Sequence, residues 1–189
     1  MKPILFMLVP ALALAGCAAP KLRTYVLTGP VSAAARPSIE TVSTTVIEVR
    51  PVLLPDHLDS RDILRRVGTN ELSASRNGRW GDRLSVGIRQ AIAADLQARL
   101  PQASVVTTSP IQPDFRRLNL TITSFEPDQA GTLALDASWS IETTRPPAVM
   151  ARRRAHLVVG GVAENSQAQV SAMSRLLDRL ASAIVPELQ

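Results

Sequence analysis

Cys17, the only cysteine of the chain, is the residue whose neighbours point most directly to a chemical modification. It follows Leu14, Ala15 and Gly16, and the four residues together match the bacterial lipobox closely. The small side chains of Ala15 and Gly16 allow a peptidase to approach the backbone, and the Cys17 thiol can take a diacylglyceryl group as a thioether. We therefore expect cleavage before Cys17 and lipid attachment to its sulfur.

The residues before the lipobox have the layout of a secretory signal. Lys2 supplies a short positively charged start, and residues 4–14 form an apolar stretch interrupted only by Pro10. This stretch is too short to cross a bilayer as a permanent helix. An ordinary signal peptide with a chance cysteine is the alternative, but the single cysteine stands at the lipobox position. We expect residues 1–16 to be removed.

The region after Cys17 predicts a short tether to a membrane. Two or more acyl chains anchor a protein stably, whereas one is marginal. Ala18, rather than an aspartate, follows the cysteine, which favours the outer membrane under enteric-type sorting. Residues 25–27 then read as a strand. We expect residues 17–37 to contain the lipidated N-terminus, the tether and this first strand, and residues 38–189 to form a single domain.

The composition narrows the classes of partner. The chain has 21 Lys and Arg against 16 Asp and Glu, a net charge of +5, and only 3% aromatic residues. The simpler interpretation of the positive net charge is a solvated basic surface. The alternative, which is more specific, is attraction to anionic head groups or to an acidic partner. An exported protein with so few aromatic rings for base stacking is not expected to bind nucleic acid.

The sequence contains no pattern typical of a catalytic or metal site. His57 and His156 are far apart and have no acidic or metal-ligand residues spaced around them, so we expect both on the surface. There is no Gly-x-Ser-x-Gly elbow, although a Ser-His-Asp site could still assemble from distant positions. Residues 77–78 and 160–161 read as turns and do not form a phosphate-binding loop. We predict no enzyme activity, no metal and no cofactor.

The densest run of charge is Arg152-Arg153-Arg154. Successive side chains on a strand point to opposite faces, so Arg152 and Arg154 should point together and Arg153 away from them. The run is either a solvated strand end or a contact for an anionic partner or head group.

Hydrophobic periodicity predicts two long amphipathic helices. Residues 80–100 carry an apolar stripe at three- and four-residue spacing that starts at Trp80 and stops before Pro101. Residues 170–184 carry a second stripe, for which Asn165 or Ser166 can supply the N-cap.

The remaining segments read as strands. Residues 132–142 alternate strictly between apolar and polar, with Trp139 on the apolar side, as expected for a sheet with one buried and one wet face. Further strands are predicted at 41–49, 104–107, 117–125 and 149–160, with a hairpin over 63–67 and 71–75. We predict an α+β fold, a two-layer sandwich of a mostly antiparallel sheet with both helices on one face. Trp80 and Trp139 are expected in the core.

The order of these elements resembles the ABC-transport auxiliary lipoproteins over essentially the whole chain after the lipobox. The stretches that carry the resemblance are 25–27, the proline-bounded 49–59, 69–72 with Arg79, Trp80 and Leu84, and 168–180. His57 stands in place of the usual aromatic residue, Ser60 intervenes before Arg61, and Gly81-Asp82 replaces the more usual Ala-Glu.

This resemblance implies a role in lipid transport between membranes. It implies a lipoprotein that docks the periplasmic tunnel of an MCE-domain protein, part of an ABC-type system, at the outer membrane. The family pattern supplies no catalytic residues. Asn70 and Glu71 lie in its most distinctive stretch, where they form either a turn or cap or a contact with the partner. Whether the protein is a monomer or forms a homo-oligomeric ring stays open.

Three other functions are compatible with the sequence. An envelope-assembly or cell-wall scaffold or activator lipoprotein could have a similar α+β domain. A periplasmic hydrolase would need convergent Ser, His and Asp side chains. A lipid carrier would need an apolar cavity of several hundred Å³, roughly the size of a small-molecule site.

Overall fold

The computed structural model of the chain describes residues 21–29 and 45–189. Eight strands and two helices make up the fold, followed by a short 3₁₀ helix at Val185–Glu187. The elements in chain order are β1 (Arg23–Tyr25), β2 (Thr45–Val49), β3 (Asp62–Arg66), β4 (Leu72–Trp80), α1 (Leu84–Arg99), β5 (Ala103–Val106), β6 (Arg116–Ser124), β7 (Leu133–Thr144), β8 (Pro147–Val159) and α2 (Ser166–Ile184).

The larger sheet has five strands in the order β5-β2-β6-β7-β8. Strand β2 pairs in parallel with both β5 and β6, whereas β6, β7 and β8 form an antiparallel meander. The connection from β2 to β5 includes α1, as parallel neighbours require a long crossover, while the short turns after β6 and β7 reverse the chain. The peptide bond between Arg145 and Pro146, in the turn before β8, is cis.

The smaller sheet has the order β1-β4-β3 and is also mixed. Strand β1 runs parallel to β4, and β3 and β4 form the predicted antiparallel hairpin. Three of the six strand pairings in the two sheets are therefore parallel. The α+β class is confirmed, but two mixed sheets replace the single, mostly antiparallel one, because strand partners depend on contacts between distant parts of the chain.

The first helix begins later than its apolar stripe suggests. Trp80 is the last residue of β4, where its N–H donates to the carbonyl of Arg61 at 2.8 Å. Residues 77–78, which were predicted as a turn, also lie within this strand. Strand pairing of Trp80 with Tyr25 excludes it from the helix. The N–H of Ser85 instead donates to the Asp59 carboxylate at 3.0 Å, which caps α1 from a distant loop.

The two helices contact each other and the larger sheet. Of the two predicted caps of α2, Asn165 is the one observed, and its side chain accepts the Ala168 N–H at 2.8 Å. Strand residues such as Leu135 and helix residues such as Leu96 and Leu180 have no exposed surface, and burying each stabilises the fold by about 1.5–3 kcal/mol. This core lies between the helices and the apolar face of the sheet, which leaves the opposite face for polar side chains.

Both tryptophans belong to this core, as predicted. Trp80 is 5% exposed and Trp139 is 6% exposed. Over residues 21–29 and 45–189, no helix combines the length and the apolar character needed to cross a membrane.

Candidate functional site

The candidate site lies on the polar face of the larger sheet, which we call the open sheet face. It is formed by β6, β7 and β8, whose alternate side chains are buried against the helices. Leu118 and Leu120 of β6 and Trp139 of β7 point inward, so the intervening residues must point outward. The outward residues of the central rows are Asn119, Thr121, Ser138, Ser140, Arg152 and Arg154.

Arg152 and Arg154 stand side by side on the open sheet face. Their strand partners are Ser140 and Ser138. Both arginines are exposed, and neither guanidinium has a hydrogen bond or an ion pair with any described residue. Arg153 points the other way and donates from Nε to Glu187 Oε1 at 2.9 Å. The alternation predicted from the sequence is thus confirmed, and it leaves two positive charges without a counter-charge.

A shallow depression of about 630 Å³ lies beside these two arginines. Its lining includes the Ser138 and Ser140 hydroxyls and the Asn119 amide, which donates to Ser140 Oγ at 3.1 Å. Alternate residues on a strand are about 7 Å apart, so the two guanidiniums can bind neighbouring carboxylates or phosphates. Guanidinium groups bind both anions through paired hydrogen bonds. The side chains of this face are thus chemically suited to bind anions.

Other charged side chains also lie on the open sheet face, and one of them, Glu142 of β7, accepts from Ser140 Oγ at 3.4 Å and has no ion pair with any described residue. Glu48, only 2% exposed, accepts from Arg117 Nε at 3.2 Å and from Ser109 Oγ at 3.0 Å. Asp136 Oδ1 lies 2.6 Å from His156 Nδ1 on the neighbouring strand. Arg152 and Arg154 are thus the arginines of this face without an ion pair among the described residues, and Glu142 is a carboxylate close to Ser140, the strand partner of Arg152.

The histidines differ from each other in their surroundings. His57 lies in an exposed turn, as expected. His156 is also exposed, but it has the acidic partner Asp136, which strand pairing brings from twenty residues away. Within the described part of the chain, no hydroxyl hydrogen-bonds to His156, and no three His, Cys, Asp or Glu side chains are grouped so that they could hold a metal ion.

The remaining predicted site residues are not gathered at the open sheet face. Asn70 and Glu71 are exposed in the turn between β3 and β4, where the Val67 N–H donates to the Glu71 carbonyl at 3.0 Å. This turn belongs to the smaller sheet, so it is separate from Arg152 and Arg154. The lipobox residues lie outside the described residues; they are Leu14, Ala15, Gly16 and Cys17.

Sequence reasoning missed two features of the structure. Asp95 in α1 is 1% exposed, and its Oδ1 has no hydrogen-bond partner among the described residues. A basic groove also lies between the smaller sheet and the start of α2. Its arginines are scattered along the sequence, so no local pattern signals the groove.

Residues 25–185 match the family described as the ABC-type transport auxiliary lipoprotein component. The chain belongs to this family. Among its relatives is the intermembrane transport lipoprotein PqiC of Escherichia coli K12, which is 24% identical over 131 residues, 69% of this chain and 70% of that protein. The PqiC of Shigella flexneri matches to the same extent.

Solved structures share the fold of this family member. A crystal structure of an uncharacterized protein superposes with a TM-score of 0.74 at 18% identity, covering 89% of this chain and 99% of that one. A protein from Xanthomonas campestris superposes with a TM-score of 0.63, also at 18% identity, covering 88% and 90%. At these identities the structures support the fold alone.

Proposed function

We propose that this protein is a lipid-anchored, non-enzymatic component of an MCE/ABC-type intermembrane lipid transport system, which docks the periplasmic tunnel at the outer membrane. The observation that carries the proposal is the family match over residues 25–185. The relatives named as intermembrane transport lipoproteins support the same role. The exposed, unpaired arginines of the open sheet face supply a surface suited to a protein partner.

The open sheet face is the docking surface in this proposal. Arg152 and Arg154 lie on a strand whose position is set by pairing with β7, so the backbone that carries them is in place before a partner arrives. A fixed backbone reduces the entropy lost on binding. The complementary surface on the MCE-domain protein would carry carboxylates. Asn70 and Glu71 form a second, smaller contact at the β3–β4 turn.

Anchoring completes the proposed arrangement. Cleavage before Cys17 and lipid attachment to its sulfur would hold the domain on the periplasmic face of the outer membrane. An intact mass of the mature chain tests this step, because the acyl chains add mass that Cys17→Ala removes. A mature chain without added lipid would contradict it.

Capture of the MCE-domain protein tests the docking role. The lipidated chain, solubilised in detergent, should retain that protein. The double variant Arg152→Gln/Arg154→Gln should weaken retention by about tenfold or more, because hydrogen bonds to charged groups contribute about 1.5–3 kcal/mol each. The matched control is Arg23→Gln/Arg76→Gln, which removes the same charge elsewhere. Failure of the unaltered chain to retain an MCE-domain protein, while a known complex is retained, would end the proposal.

A ring of several copies is a further part of the proposal. Strand β8 lies at the edge of the larger sheet and is 13 residues long. Exposed edge strands offer unpaired backbone groups to another chain. Val149 and Met150 near its start are about half exposed, at 49% and 47%. The mass of the detergent-solubilised protein by light scattering tests the ring, and a single copy per micelle would contradict it.

A further inference from the structure

A basic groove that shares no lining residue with the depression of the open sheet face lies between the smaller sheet and the start of α2. We call it the α2 groove. It has a volume of about 710 Å³. Its lining includes Arg23 of β1, Arg65 of β3, Ser73 and Arg76 of β4, and Glu164 just before α2.

The arginines of the α2 groove are not neutralised by acidic side chains. Arg23 and Arg76 have no ion pair or hydrogen bond through their guanidiniums with any described residue. Arg65 is held in place by carbonyl oxygens only, those of Asp128 at 3.3 Å, Val162 at 3.5 Å and Ala163 at 3.1 Å. Carbonyl acceptors orient a guanidinium without removing its charge.

The balance of charge in the α2 groove is therefore positive. Glu164 is its acidic lining residue, set against three arginines. The start of α2 adds a partial positive charge from its backbone N–H groups, which strengthens attraction for anions near Ser166. The groove is open and three guanidiniums line it, so it suits a hydrated anionic head group better than an acyl chain.

The short sequence separation between Cys17 and the α2 groove bears on the kind of ligand that the groove can meet. Arg23 follows Cys17 by six residues, a span of at most about 20 Å when fully extended. Leu22 and Val26, on either side of β1, are 57% and 58% exposed, although both are apolar. An unpaired arginine on β1, with an exposed aliphatic side chain on each side of the strand, matches the polar and apolar layers of a bilayer surface.

We propose that the α2 groove binds the phosphates of anionic phospholipid head groups in the membrane that carries the anchor. This inference rests on the proposed lipid attachment at Cys17. Contact through Arg23, Arg65 and Arg76 would give the anchored domain a defined orientation, with β1 and the α2 groove towards the bilayer. The orientation of the domain would then depend on the anionic lipid content of the membrane.

Fluorescence quenching in nanodiscs tests the orientation. A fluorophore is attached to the lipidated chain through Ser73→Cys, at the rim of the α2 groove, or through Ser138→Cys on the open sheet face. Cys17 does not react with the fluorophore, because the attached lipid leaves it without a free thiol. The nanodiscs contain phosphatidylcholine with a nitroxide on its head group, either alone or with 30 mol% phosphatidylglycerol, roughly the content that gives bilayers a strongly negative surface potential. Quenching at position 73, but not at position 138, should rise severalfold when phosphatidylglycerol is present.

Charge variants identify the groups responsible. Arg23→Gln/Arg76→Gln should return quenching at position 73 to its level in phosphatidylcholine alone, because each arginine near an anionic surface shifts the equilibrium about fivefold. The control variant Arg152→Gln/Arg154→Gln loses the same amount of charge and should leave quenching at position 73 unchanged.

The outcomes separate this inference from the proposed function. A lipidated chain whose quenching at position 73 is independent of phosphatidylglycerol would refute the α2 groove as a head-group site and leave the anchor and docking role standing. Equal loss of quenching in both double variants would also refute it, because the effect would then follow net charge. A chain whose intact mass lacks lipid refutes the anchor itself, and with it the orientation argued here.

Discussion

The buried carboxylate of Asp95 makes the stability of the fold depend on pH. Burial and, to a lesser extent, the nearby Asp178 carboxylate raise the pKa of Asp95 to about 6, and the charge of Arg99 opposes this rise. A carboxyl group with a raised pKa stabilises the folded state only while it is protonated. The contribution is fully present below the ordinary pKa of 3.8 and is lost as the pH rises through about 6.

The predicted perturbation is Asp95→Asn, which keeps the shape of the side chain and removes its charge. A shift from 3.8 to about 6 corresponds to about 3 kcal/mol at about 1.4 kcal/mol per pKa unit. We expect the free energy of unfolding of the variant to exceed that of the unaltered protein by up to about 3 kcal/mol at pH 7.5, and by about 1 kcal/mol at pH 4.5, where Asp95 is mostly protonated in the folded state.

Urea unfolding followed by circular dichroism at both pH values measures this difference. Asp56→Asn, at an exposed turn position, serves as the matched control and should change the free energy of unfolding by less than about 0.5 kcal/mol. A variant that is less stable at pH 7.5 would refute the reasoning. A gain of equal size at both pH values would refute it too, because the gain would then come from helix propensity or packing rather than from charge.

Two further substitutions test the local structure around the smaller sheet. Gly78→Ala should lower the free energy of unfolding by about 1–3 kcal/mol, because its new Cβ would overlap Ser166 Oγ. Gly160→Ala, with no atom of the described residues within 4 Å of the new Cβ, should be nearly neutral in the same urea titration. Asp59→Ala should cost about 1 kcal/mol at pH 7 through loss of the α1 cap at Ser85. Burial opposes ionisation of Asp59, but the hydrogen bonds from Ser85 and the charge of Arg83 outweigh it and lower its pKa, so this cost should shrink as the pH falls below about 3.8.

Local patterns in the sequence predicted those parts of the fold that depend on neighbouring residues. The strict alternation over residues 132–142 predicted which face of β7 is buried, and the same rule placed Arg152 and Arg154 on one side of β8 and Arg153 on the other. Asn165 was recognised as a cap, since an N-cap acts within one helical turn. These features follow from backbone periodicity and from side-chain chemistry at short range.

Strand partners and buried charges were decided only by the tertiary structure. The apolar stripe from Trp80 fits a helix, yet pairing with Tyr25 makes Trp80 the end of a strand. Asp95 resembles an ordinary polar helix residue until α2 packs against α1. The α2 groove likewise forms from residues up to about 140 positions apart. Each of these outcomes depends on which distant segments meet, and the sequence constrains that choice only through the free energy of the whole fold.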